Sequence, residues 1–148
     1  MKRGIIFGLL LLLTTLSCNR KSQKSLMITE GVFSPCPKSP NCISSQEKKE
    51  DKEHYIEAIV YSSSREDAQK KMIVTLQKLP RVKLVKKTDN YLHAEFTTLL
   101  MRYVDDVEFY FPENNKLIHI RSASRVGYSD LGKNRSRMKE IKQLFEKE

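Results

Sequence analysis

Two adjacent aspartates and a run of arginines, serines and glycines late in the chain are the side chains whose types and spacing could do chemistry. Asp105 and Asp106 sit in YVDDVEF (103–109), and Arg121, Ser122, Ser124, Arg125, Tyr128, Asp130, Asn134 and Arg137 follow in RSASRVGYSDLGKNRSR (121–137). An aspartate turned toward a core needs a hydrogen bond or a cation, because an unpaired buried charge is costly. Arg125, Arg137 and the backbone of the 126–132 loop are the candidate partners. The same groups could take an external anion: Gly127 and Gly132 suit a loop with unusual backbone angles. That loop arrives at a helix N-terminus near Asn134, where free amides and the positive dipole end favour negative charge. Two readings therefore stand side by side, a phosphate or carboxylate docking there, or Asp130 or Asp105 filling the place from within.

Hydrolysis or group transfer would need a nucleophile with a base in reach, paired carboxylates, or a metal. Ser124 with Asp105 or Asp130 is the set that could supply the first, and it is the weaker reading. No nucleophile elbow, phosphate loop or metal-binding pair of histidines is present. His93 alternates away from Leu92, Ala94 and Phe96, His119 falls on the side away from the expected helices, and His54 lies in a polar loop, so all three read as surface residues. Cys36 and Cys42 stand in CPKSPNC. Five residues between them exceed the usual spacing of paired zinc ligands and no second pair completes a tetrahedron, so neither a metal nor a cofactor is expected. In an oxidising compartment the two can form a disulfide across a loop turned by Pro37 and Pro40, the alternative being free structural thiols.

The elements that must position these groups follow from periodicity. Residues 55–61 alternate Ile56, Ala58 and Val60 against Tyr55, Glu57, Ile59 and Tyr61, the pattern of a first strand. Ser64 followed by Asp67 is a helix-opening pair; Ala68, Met72, Leu76 and Leu79 then share one helical face before Pro80. Strands are predicted over 81–87 and 91–98, turned at Asp89 and Asn90, with Leu92, Ala94 and Phe96 on one face. A fourth and fifth cover 103–111 and 117–123 around a turn at 112–115. Pairing Phe111 with Lys116 across that turn sets Asp106 opposite Arg121, Asp105 opposite Ser122 and Tyr103 opposite Ser124. A last helix is predicted over 134–146, with Asn134 as its cap and Met138, Ile141, Leu144 and Phe145 as its apolar stripe. The expected fold is α+β: a single antiparallel sheet of about five strands with two helices packed on one face, in the order β-α-β-β-β-β-α.

The first residues set the address. Lys2 and Arg3, an apolar run from Ile5 to Leu13 too short to span a bilayer, and small residues up to Ser17 form a signal peptide over 1–17. TLSC (15–18) resembles a bacterial lipobox, with Thr15 where Leu is usual, which makes Cys18 the acylated residue and 18–30 a flexible tether to residues 31–148. The two or three acyl chains of a lipoprotein hold a protein stably on a membrane. The whole chain carries +9 over 148 residues. Without Lys2 and Arg3 it keeps about +7, which favours anionic partners such as lipid headgroups or acidic glycans, and export argues against nucleic acid.

CPKSPNCISS (36–45), YLHAE (91–95), YVDDVEF (103–109) and the long 121–137 motif together resemble the family catalogued as domain of unknown function (DUF) 1499. The resemblance spans about residues 33–147. Tyr103 stands where Phe is expected and Lys133 where an apolar residue is common. The family implies no established activity, and its members are exported or organellar. The expectation is thus a non-catalytic lipoprotein of the cell envelope, on the outer membrane or the periplasmic face. Its partners would be the membrane through its lipid and a small anionic molecule, lipid headgroup or envelope protein through the 121–137 face.

Overall fold

Ser64 opens the first helix as its spacing predicts: its hydroxyl accepts the Asp67 amide at 3.0 Å and donates to the Asp67 carboxylate at 2.7 Å. This reciprocal bonding satisfies amides that a helix start leaves unpaired. The structure, a computed structural model, describes residues 28–148. The signal peptide, Cys18 and most of the 18–30 tether lie outside the described residues.

Helix α1 (Arg65–Gln77) buries Ala68, Met72, Thr75 and Leu76, and α2 (Lys133–Lys147) buries Asn134, Met138, Ile141 and Phe145. The sheet contains β1 (Cys42–Ser44), β2 (Ile59–Val60), β3 (Val82–Lys87), β4 (Tyr91–Thr97), β5 (Val104–Tyr110) and β6 (Leu117–Ser124). Its order is β1-β6-β5-β4-β3, every pairing is antiparallel, and β2 shares the outer edge of β6 with β1. Both helical stripes lie on the face carrying Leu92, Ala94, Val107, Phe109, Ile118 and Ile120, all of them buried in one core with Met72, Met138 and Ile141.

Three expectations change in detail. The strand expected over 55–61 shrinks to Ile59–Val60, with Tyr55 making only an isolated parallel bridge to Ser44. The first strand is instead Cys42–Ser44, whose Cys42 is joined to Cys36 by a disulfide and pairs with Ala123. The cap of α2 falls two residues early: it is Gly132, at φ 76, and Asn134 lies inside the first turn. The left-handed backbone that a cap residue takes here is open to glycine without a Cβ penalty.

The register of β5 on β6 is offset by two residues from the expected one. Asp105 faces Ser124, Asp106 faces Ala123, and Glu108 faces Arg121. The Phe111 amide donates to the Asn90 carbonyl at 2.8 Å and the Lys116 carbonyl accepts from the Tyr61 amide at 3.0 Å, so both face away from the hairpin, and the turn spans 111–116 rather than four residues. A shift of two preserves the face of every side chain, so Asp105 still points toward the helices while Asp106 does not meet Arg121.

Candidate functional site

Asp105 enters the helix-side core and is met there by α2. It is 3% exposed and forms an ion pair with Arg137. The same guanidinium donates to Ser122 Oγ at 3.2 Å and to Asn134 Oδ1 at 2.7 Å, and its carbon lies 4.9 Å from the centre of the Phe96 ring. Ser122 donates to Asn134 Oδ1 at 2.6 Å, while Asn134 Nδ2 reaches the Asn41 carbonyl at 2.9 Å and Ser124 Oγ at 3.4 Å. Arg137 can serve this corner because its planar fork offers donors in two directions.

The opposite face holds a second buried network. Arg121 donates to Glu108 at 3.0 Å, and Tyr91 Oη donates to the other Glu108 oxygen at 2.7 Å. Glu108 is 1% exposed. Arg125, lying beyond Ala123, donates to both Asp106 oxygens, at 2.9 and 2.7 Å, and also pairs with Glu95; His93 Nε2 lies 2.8 Å from Asp106 Oδ1. Burial raises the Asp106 pKa, but the hydrogen bonds from Arg125 and His93 outweigh it and hold the carboxyl below its usual range. Burial and the Glu108 carboxylate push the Tyr91 phenol up, so that it remains a donor.

His93 was expected at the surface and is buried, as is His54, which lies 2.8 Å from Asp51. His119 faces Tyr110 rather than Glu108 and sits 3.2 Å from Ser45 Oγ, with burial lowering its pKa. A segment without periodicity also meets this face at Arg121. Ser34 O accepts from Arg121 Nε at 2.9 Å, and Gln46 ties the segment down by donating to Gly31 O and accepting from the Phe33 amide, each at 2.7 Å. Gly31 lies so close to Tyr110 that a Cβ there would come within 2.8 Å of the phenol oxygen.

At the start of α2 the Asp130 carboxylate accepts from the amides of Gly132 at 2.9 Å and Asn134 at 2.6 Å. The position an external anion would take at this N-terminus is thus held by the chain's own aspartate. Tyr128 stands apart from the network, 77% exposed. Among the described residues no hydrogen bond joins Ser124 to Asp105 or Asp130, and no three His, Cys, Asp or Glu side chains converge on a metal position.

A family model described as a protein of unknown function, DUF1499, matches residues 32–145. The chain belongs to the DUF1499 family. No curated protein matches it. Within the DUF1499 domain, the long 121–137 motif thus supplies the partners of Asp105, Asp106 and Glu108, and serves to dock α2 and the 31–36 segment on the two faces of one sheet.

The DUF1499 domain also carries a groove of about 380 Å³ between α2 and the 52–57 loop. Ile59, Ile120 and Met138, each at most 1% exposed, close its floor together with Ile56. Lys52, Arg135, Lys139 and Lys142 line it with a single carboxylate, Glu57. Arg135 braces one wall by donating to the carbonyls of Tyr55, Lys52 and Glu53. Sequence reading missed this site, as it missed Glu108, His93 and Glu95. The available signals were the i, i+2 spacing of Asp106 and Glu108 and the i, i+4, i+7 spacing of Arg135, Lys139 and Lys142 on one helix.

Acid should weaken the fold through Asp106. A carboxyl whose folded pKa is depressed contributes stability that is full above its unfolded value, ~3.9, and is lost as pH falls through the folded value. Urea midpoints between pH 6 and pH 3 should fall less steeply for Asp106→Asn than for the unaltered chain. Equal slopes would remove Asp106 as a source of acid sensitivity.

Proposed function

We propose that this DUF1499 chain is an exported envelope lipoprotein, with 1–17 as its signal peptide and acylated Cys18 as its anchor, whose domain is a non-catalytic binding module for a small anionic ligand. The groove over Ile59, Ile120 and Met138 carries the reading, because it joins an apolar floor to a cationic rim. That combination suits an anion bearing a short apolar tail, the chemistry shared by lipid fragments and acylated metabolites. Three arginines of the 121–137 motif support it by exclusion: Arg121, Arg125 and Arg137 already face buried carboxylates, so attraction for a further anion falls to Arg135 of the same motif with Lys52, Lys139 and Lys142. The committed state of Asp105 and Asp130 favours binding over hydrolysis.

Hexyl phosphate tests the groove. At a hundred times its dissociation constant a ligand that binds only the folded state stabilises it by about 2.7 kcal/mol, so the melting temperature of the full chain should rise by several degrees. Inorganic phosphate, lacking the tail, should do less, and Lys139→Glu with Lys142→Glu should abolish the gain. Recovery of intact hexyl phosphate after long incubation is expected of a binder, and its hydrolysis would overturn the non-catalytic reading. Incorporation of labelled palmitate, lost in Cys18→Ser, tests the anchor separately.

A further inference from the structure

Six large apolar side chains are left in water at one end of the sheet. Leu99, Leu100 and Met101 lie in the β4–β5 loop and Val126, Tyr128 and Leu131 in the β6–α2 loop; Leu100 and Leu131 keep 87% and 89% exposure. The two loops leave the sheet side by side, because β5 begins between them: Thr97 pairs with Val104, and the Arg125 amide donates to the Val104 carbonyl at 3.1 Å. Apart from Tyr103 beside them, the other large exposed apolar side chains among the described residues are Val32, Val60 and Val74 on separate elements and the neighbours Leu84 and Val85 on β3. Scattered exposure of that kind is ordinary, whereas a concentration in adjoining loops marks an interaction surface.

Cations surround the patch. Arg102 is exposed within the first loop, and a cleft of about 370 Å³ behind Leu99 is lined by Arg81, Lys133 and Arg137 against one carboxylate, Glu140. Both loops also hold a non-glycine residue in the left-handed region, Arg102 at φ 55 and Leu131 at φ 53. Such backbone is disfavoured for these residues and tends to occur where function uses the position.

We propose that this end of the DUF1499 domain is a membrane-contact surface, in which the apolar tips enter the boundary between headgroups and acyl chains while Arg81, Arg102 and Lys133 meet anionic phosphates. A bilayer is the occupant that fits. Leu100 and Leu131 stand almost free of the domain, and a fluid apolar boundary takes up such tips without a complementary pocket; the surrounding positive charge selects an anionic lipid surface. The contact is separate from the acyl anchor and from the α2 groove, so either could fail without it.

The test uses the full chain, extracted in detergent and reconstituted into vesicles of phosphatidylglycerol and phosphatidylethanolamine. A polarity-sensitive nitrobenzoxadiazole label is placed in turn through Leu100→Cys, Leu131→Cys and, at the far end of the sheet, Asn114→Cys, with the unaltered chain labelled as the blank. The first two labels should shift to the blue, gain intensity severalfold and be quenched by nitroxide lipids, and the third should do none of these. Loss of the response on pure phosphatidylcholine is expected from the cations. Unshifted emission at Leu100 and Leu131 in anionic vesicles would overturn the proposal, and so would an equal response at Asn114. Shielding of the Leu100 label by a co-purifying protein without lipid would overturn it in favour of a protein partner.

Discussion

Replacing Arg121 by methionine should destabilise the fold by about 3–5 kcal/mol, the range seen when one member of a buried ion pair is removed. Glu108 is left behind, 1% exposed, with the Tyr91 hydroxyl at 2.7 Å as its one remaining hydrogen-bond partner among the described residues. The Ser34 carbonyl loses its donor as well, which removes one of the ties of the 31–36 segment. At ~4–8 °C per kcal/mol for a small domain, the melting temperature should fall by more than about 10 °C. The penalty belongs to the unpaired carboxylate rather than to the pair, so Arg121→Met combined with Glu108→Leu and Tyr91→Phe should recover most of the loss. A loss under about 1 kcal/mol for the single variant would put the pair in the class of exposed ion pairs and defeat the description of a buried network.

Arg137→Met should be of similar size, about 3–5 kcal/mol, but should act on one element. Asp105 is 3% exposed and would keep its charge inside the helix-side core, while Ser122 and Asn134 would lose a common donor. Because Arg137 is the side chain by which α2 meets the end of β5, amide exchange should accelerate first in α2 and only later in β4 and β5. Arg137→Lys should fall between the two, since an ammonium keeps the charge but lacks the fork that reaches Asp105 and Ser122 together. The groove rim rides on the same helix through Arg135, Lys139 and Lys142. The stabilising response to hexyl phosphate should therefore shrink in Arg137→Met even well below its melting temperature. Uniform acceleration of exchange across the sheet would show that Arg137 does not hold α2 locally.

These two predictions separate support from binding within the 121–137 motif. Buried arginine–carboxylate pairs contribute little net stability over an apolar core yet make loss of one partner severe. A long motif of exact residue types is what such a network demands, whether or not a ligand is bound. The cations that could recruit an anion are others, Lys133 and Arg135 at the end of the motif, Lys139 and Lys142 farther along α2, and those around the β4–β5 loop.

The amino-acid sequence by itself determined the α+β architecture, the helix-opening Ser64–Asp67 pair, the apolar stripes of both helices and the facing of Asp105 toward the core. Each is a local property: alternation assigns a face residue by residue, and helical spacing assigns a stripe, whatever lies far along the chain. Only the tertiary structure decided which residues met. The register of β5 on β6, with Asp105 on Ser124 and the turn spanning 111–116, was one such pairing. The covering of Arg121, the partner of Glu108, involved residues 31–36, a segment whose lack of period hid the surface it would meet. Pairing and burial depend on groups distant in sequence competing for the same donors, acceptors and space, and no local pattern carries that information.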